Sequence, residues 1–296
     1  MGDYLLAQQP SPELERLRLR LLQAVQDPLT RGQLDAIGVG AGWRCLDAGA
    51  GAGSVTRMLA DRVGPTGRVL AVDLETTLLE RRASDRVEVR RLDLLADPLP
   101  QDAFDLVHAR MLLMHLPGRL EVLRKLAAAA QPGGWVAALD PDFSTVSMAP
   151  SEPAWERTWS VFCDAVIAGG WDYTYGARLA ADLGAAGLVD VHADYRYASG
   201  PGGSVGNQIL SLTIERMRER LVALGAESEE IDAAQRLLED PSRTFTSTTI
   251  CLAHGRRPPV PGDPTGPRLA SGLAVCGPVP AQPPSAPFPP STPPRS

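Results

Sequence analysis

The sequence predicts an α/β domain built on a mainly parallel sheet. Two observations carry this. Strand-like and helix-like stretches alternate from Ser11 to Arg256, and at residues 46–54 an apolar strand runs into three alternating glycines and then a helix. The 296 residues leave room for one large domain or two modest ones, each able to bury a sizeable core.

The elements follow in order. Ser11 before Pro12 is a good N-cap and first-turn pair, and Leu14, Leu17, Leu21, Ala24 and Val25 mark one face of an amphipathic helix ahead of the sheet. Strands are expected at 44–48, 68–73, 87–91, 104–109, 135–139, 189–197 and 245–253, with helices in most gaps between the first five and before the sixth. One of these helices runs from Ser54 to Val63 and is stopped by Gly64-Pro65. From Gly206 to Asp240, Leu210, Ile214, Met217, Leu221 and Leu224 recur at steps of four and three, which predicts a helical cap at about 203–240 between the last two strands. Of the 27 prolines, 14 lie in the last 40 residues, so a disordered Pro-rich tail is expected over 257–296.

Composition excludes several functions. The formal net charge of −6 repels phosphodiester backbones, so nucleic acid is a poor partner. No apolar run is long enough to span a bilayer, and Met1 to Gln9 lack a basic n-region, so neither a membrane protein nor a secretory signal is expected and a cytoplasmic location is. Cys45, Cys163, Cys251 and Cys276 form no C-x-x-C pair, which argues against a zinc site or a disulfide framework; no metal is expected.

The most informative segment is Asp47-Ala48-Gly49-Ala50-Gly51-Ala52-Gly53-Ser54. Glycines let the chain turn sharply and let a ligand approach the backbone beside a helix N-terminus. The spacing departs from the dinucleotide G-x-G-x-x-G, because the sixth position counted from Gly49 is Ser54 and that counted from Gly51 is Thr56. Asp73 closes the second strand 20 residues beyond Gly53, where a carboxylate can accept both hydroxyls of a ribose, and Asp93 follows the third strand. Ligands of open α/β sheets bind outside the carboxyl ends of the strands, so Asp47, Asp73 and Asp93 would line one crevice. Each alone could equally be a helix cap or turn residue.

The ordered set LDAGAGAGS, AVDLE, RRLDLL, FDLVHAR and QPGGWVAALD resembles the class I S-adenosylmethionine-dependent methyltransferases over roughly residues 35–140, and more loosely to 253. The resemblance implies a seven-stranded, Rossmann-like, mostly parallel sheet with an antiparallel last strand, and S-adenosyl-L-methionine as cofactor. It implies that Gly49, Gly51 and Gly53 approach the methionine and ribose portions and that Asp47 holds the amino group through water. Asp73 with Leu74 would take the ribose, Asp93 with Leu94 would meet the adenine, and His108, Ala109 and Arg110 would run beside the methionine end. N-terminal helices commonly cover such sites, so residues 1–34 are read as a helical lid and 35–256 as the methyltransferase domain. The chain lacks the N-P-P-Y or D-P-P-Y tetrapeptide and the Pro-Cys dipeptide of DNA methyltransferases, which disfavours that substrate.

On the acceptor side, His115 follows the fourth strand and is a candidate base or acceptor-positioning group, the alternative being a helix-terminal histidine bonded to a backbone carbonyl. Asp142, after the fifth strand, is the second catalytic candidate, the alternative being a turn carboxylate. Seven aromatics lie between residues 140 and 175. Trp155, Trp159 and Phe162, at steps of four and three, could be one buried helix face, whereas Phe143, Trp171, Tyr173 and Tyr175 could line a pocket for a flat or greasy acceptor. Tyr4 could fold across the mouth, and Arg178 could meet an acidic group on the acceptor. The expected partner is a small molecule, with a homodimer left open.

The function expected is methylation of a small, apolar or aromatic metabolite, as in secondary-metabolite tailoring. Two rivals stand beside it: a same-fold enzyme coupling cofactor binding or methylation to cyclisation of an isoprenoid-type acceptor, and a non-catalytic S-adenosylmethionine-binding regulatory protein.

Overall fold

The computed structural model describes residues 11–260. Tyr4, Cys276 and nearly all of the expected Pro-rich tail lie outside the described residues. In chain order the elements are α1 (Pro12–Ile37), β1 (Arg44–Ala48), α2 (Ser54–Val63), β2 (Arg68–Asp73), β3 (Val87–Arg91), β4 (Phe104–Arg110), α3 (Arg119–Ala129) and β5 (Ala130–Asp142). There follow β6 (Ser147–Ala149), α4 (Pro153–Ala168), α5 (Leu179–Ala185), β7 (Val189–Arg196), β8 (Ser199–Pro201), α6 (Val205–Arg216), α7 (Arg218–Ala223), α8 (Ser228–Glu239), β9 (Thr244–Thr246) and β10 (Thr249–Arg256).

Seven strands form one sheet in the order β3-β2-β1-β4-β5-β10-β7. The first five pair in parallel, and β10 runs antiparallel between β5 and β7. The order reverses at β1, so a crevice opens at the carboxyl ends of β1 and β4, the position where open sheets bind ligands. Both faces of the central strands are covered. Cys45 packs with Leu34, Ile37, Met58 and Leu59 beneath α1 and α2, while Leu46 and Ala48 point into the larger core on the opposite face. Leu34 and Leu59 are fully buried, and each contributes about 1.5–3 kcal/mol by transfer from water.

Several details differ from expectation. The last predicted strand, 245–253, is two: β9 joins β6 and β8 in a small antiparallel sheet, and β10 joins the main one. The break falls at Ser247, whose N–H donates to Ala198 O and whose hydroxyl accepts from Ala198 N, so that its backbone leaves the main ladder. Only two of the four gaps among the first five strands hold an α-helix; a 3-10 turn at Glu80–Arg82 lies between β2 and β3, and an Asp93-capped turn follows β3. The predicted helical stretch 206–240 is three helices, interrupted at Met217 and around Gly225 (φ +100°). Ile214, Met217 and Leu221 are buried as the periodicity requires, but Leu224 is exposed where α7 ends.

The orientation of α1 is also corrected. Leu14, Leu17 and Val25 lie outward and exposed, and the inward stripe is Arg18, Gln26, Thr30, Gln33 and Leu34. Arg18, Thr30 and Gln33 are accommodated on this face by specific partners. Arg18 is held by Glu15, which also pairs with Arg216 of α6, and the Gln33 amide donates to Ala138 O and Ala253 O. Among the described residues no helix is long and apolar enough to cross a membrane.

Candidate active site

The β1 ladder ends at Ala48, level with Val72 of β2 and Ala109 of β4. The chain then turns, and Gly49 and Ala50 N–H both donate to Val72 O. Gly49, Gly51 and Gly53 all adopt left-handed backbone, with φ +68°, +54° and +74°. Their surroundings differ. A Cβ on Gly49 would lie 2.8 Å from Leu112 Cδ1, and one on Gly53 would lie 2.8 Å from Arg82 Cγ, so these two permit close packing. A Cβ on Gly51 would have no protein atom within 4 Å, so this glycine faces open space.

Asp73 stands beside that space. Its Oδ2 accepts from Gly51 N–H at 2.8 Å and its Oδ1 from Glu75 N–H at 3.0 Å, which fixes the carboxylate and leaves each oxygen a further lone pair. A cradle open only at its middle glycine, rimmed by a fixed carboxylate and a helix N-terminus without a side-chain cap, fits an adenosyl group bearing ribose hydroxyls.

Other predicted cofactor residues are placed differently. Asp47 is buried under the turn, accepting from Thr56 Oγ1 at 2.6 Å, with His108 Nδ1 3.7 Å from its other oxygen. Neither side chain reaches the crevice; they brace the turn from the α2 side. Ala109 and Leu94 are core residues. Arg110 is turned onto α1 and α2, pairing with Asp27 at 2.9 Å and bonding Thr30 and Ser54 hydroxyls, so it docks the first helix. Asp93 Oδ1 accepts from Leu95 N–H, the turn role that was its alternative, while Leu74 is 55% exposed next to Asp73.

His115 sits in a one-turn 3-10 helix, Leu113–His115, just after β4. The turn adjoins the glycines through Leu112, whose side chain packs on Gly49. The imidazole lies edge-on to Trp171, ring centres 4.1 Å apart. It is half-buried by exposed area, yet the protein packed around it, followed by the positive charge of Arg18, lowers its pKa to about 3. Asp142 takes the turn role: its carboxylate accepts from Ser144 N–H and Oγ. The carboxyl that sequence reasoning passed over is Asp140, two residues earlier, fully buried with its pKa pushed up to about 8 by burial. It was visible as the last residue of QPGGWVAALD, but periodicity alone reads it as a strand end.

Of the aromatics, Trp155, Trp159 and Phe162 form a near-parallel stack along α4 with centres 5.5 and 5.0 Å apart, and Trp155 also packs on Phe245; they are structural. Phe143 is half-buried and packs toward Phe162, and its N–H donates to Tyr173 O. Trp171 is near His115, but Tyr175 is fully buried beneath Arg119, with burial raising its phenol pKa further. Arg178 pairs with Asp172 and is committed there rather than to an acceptor. Among the described residues no group of three or more His, Cys, Asp or Glu is placed to hold a metal ion. A groove at the opposite edge, lined by Arg44, Arg68, Arg86 and Arg90 with Asp85 and Glu88, lies at the amino ends of the strands, away from the glycine turn.

Residues 45–134 match a family model described as a methyltransferase domain. An uncharacterised 37.1 kDa protein of a Streptomyces fradiae transposon is 28% identical over 200 residues, 65% of this chain and 56% of its own. Methyltransferase str3 of Strobilurus tenacellus is 33% identical over 112 residues, 38% of this chain and 40% of its own. The ubiquinone/menaquinone biosynthesis C-methyltransferase UbiE of Hahella chejuensis is 28% identical over 140 residues, 45% of this chain and 54% of its own. The chain thus spans about half the length of the curated relatives it matches. In structure, the YcgJ protein of Bacillus subtilis superposes with a TM-score of 0.52 at 17% identity, covering 76% of this chain and 96% of that one. The [4+2]-cyclase SpnF gives 0.51 at 18% identity, covering 80% and 82%. These two likenesses concern the fold alone.

Proposed function

Since the chain carries a domain of the class I S-adenosylmethionine-dependent methyltransferase family, with that family's sheet order, we propose that it transfers a methyl group from S-adenosyl-L-methionine to a small apolar or aromatic metabolite. The observation that carries the reading is Gly51: left-handed, open on its Cβ side, and tied by its N–H to Asp73. Gly49, Gly51 and Gly53 would hold the cofactor's backbone-facing edge, and Asp73 its ribose hydroxyls.

The cofactor supplies an electrophilic methyl on a sulfonium that leaves as a neutral thioether, so no acid is required for the leaving group. The protein's own share is orientation and exclusion of water, which can account for up to about 7–11 kcal/mol of barrier. The ring of Trp171 abuts His115, and aromatic lining of this kind supports an aromatic or apolar acceptor. His115 stays neutral at physiological pH because burial and Arg18 oppose its charge. A base with so low a pKa accepts a proton weakly, so the imidazole suits accepting a hydrogen bond from the acceptor and orienting it better than carrying its proton away. Tailoring of a secondary metabolite is the role that this acceptor class supports.

The test is incubation with methyl-labelled S-adenosylmethionine and panels of phenols, indoles and quinols, reading S-adenosylhomocysteine and labelled product. Turnover with at least one panel is expected. Turnover confined to peptide or nucleic-acid acceptors would overturn the small-molecule reading.

A further inference from the structure

The turn Leu113–His115 has no side-chain cap of its own, yet both faces of its backbone are gripped. Leu113 N–H donates to Asp140 Oδ2 at 3.3 Å and Met114 N–H to Asp140 Oδ1 at 3.4 Å. From the other side, Arg119 Nε donates to Leu113 O at 3.2 Å and Asp172 N–H donates to Met114 O at 2.9 Å, while Arg119 and Asp172 pair with each other at 3.2 Å. Trp171, adjacent in sequence to Asp172, carries the ring that abuts His115. The imidazole is therefore oriented by a closed frame whose one fully buried charged-type side chain is Asp140.

A carboxyl in this place is costly. Its desolvation outweighs the two amides and the charge of Arg119, so that its pKa rises to about 8. Apolar residues in such positions are often neutral or stabilising, so stability does not explain the carboxyl. Geometry does, because its two oxygens face two consecutive amides of the turn. We propose that Asp140 is a positioning residue for His115, its buried carboxyl setting the turn that presents the imidazole to the crevice at the carboxyl ends of β1 and β4. The proposal rests on the reading of that crevice as the methyl-transfer site.

The chain has four histidines, so imidazole NMR resolves His115 individually. In the wild-type protein, the Leu113 and Met114 amide shifts are expected to move with one carboxyl carbon that titrates above the ordinary carboxylate range. In Asp140→Asn, which keeps the shape but can no longer offer two acceptor oxygens, the His115 midpoint is expected to rise by about one pH unit or more toward the free value as the turn loosens. The proposal is overturned if the folded variant shows His115 resonances and midpoint like those of wild type. It is equally overturned if the two wild-type amides ignore the carboxyl titration, a measurement that stands even where the variant fails to fold. Calorimetry with S-adenosylhomocysteine on the wild-type protein reports separately on the site. Absence of binding there, with the NMR result as expected, would leave Asp140 gripping the turn but remove its catalytic meaning.

Discussion

Replacing Gly51 by alanine separates the cost of its backbone from the cost of filling the space beside it. At φ +54°, an alanine loses about 1–2 kcal/mol to the left-handed conformation. Its Cβ meets no protein atom within 4 Å, so no packing penalty adds to this. For a domain of this size that is a fall in melting temperature of about 2–8 °C. Gly38, the C-cap of α1 at φ +82°, likewise has nothing within 4 Å, and Gly38→Ala is the matched control with the same class of backbone cost far from the crevice. The variants should therefore melt within a few degrees of each other. Only Gly51→Ala should lose S-adenosylhomocysteine affinity, because a methyl group placed in a tightly fitted contact costs about 1–3 kcal/mol, or about 5- to 150-fold. Isothermal calorimetry reads the affinity and a thermal scan the stability. If Gly51→Ala binds as wild type does, the open side of Gly51 does not face the cofactor and the cradle has been misplaced.

Four further outcomes follow from the same geometry. Between pH 6.5 and 8 the native protein holds a proton on Asp140 that the unfolded chain has already released, so stability should fall by about 1.5–2 kcal/mol as pH rises through that window, and Asp140→Asn should flatten the curve in urea titrations. His115, whose pKa is lowered, works with the opposite sign: its contribution is complete above the free histidine value and is lost as pH falls toward about 3, so His115→Ala should reduce acid sensitivity below pH 6.5. That same variant should leave S-adenosylhomocysteine binding unchanged and lower turnover once an acceptor is known, and equal turnover would sink the proposed role. Arg110→Ala strands Asp27 without its largely buried partner and should destabilise by about 3 kcal/mol in denaturant melts, with proteolysis between α1 and β1 as the local readout; an unchanged midpoint would show that the pair does not dock the helix.

The fold was legible because its signals are local and repeated. The strands at 44–48, 68–73 and 87–91 match their expected bounds, since each is a short strand-like stretch closed off by the segments around it. The glycine turn was legible for the same reason: three glycines at alternate positions after an apolar strand are required by left-handed backbone at each. What was not legible depends on which way a side chain turns. Asp47, His108 and Arg110 sit on or beside strand ends that border the crevice, but their alternation sends them to the α2 face, where Thr56 holds Asp47 and where Asp27 and Ser54 hold Arg110. The face of α1 was misjudged because apolar residues ordinarily point inward, whereas here ion pairs and backbone carbonyls recruit Arg18 and Gln33 instead. Asp140 escaped notice because a buried carboxyl has no periodic signature; only the two amides of Leu113 and Met114 reveal why it is there.

The central claim, that the turn from Asp47 to Ser54 with Asp73 holds S-adenosylmethionine, is tested most directly by calorimetric titration of the protein with S-adenosylhomocysteine, alongside NAD and the Asp73→Ala variant. The account predicts one saturable site for S-adenosylhomocysteine on the wild type, none for NAD, and loss of most of the affinity in Asp73→Ala. Binding of NAD instead, or S-adenosylhomocysteine bound equally well by Asp73→Ala, would contradict it.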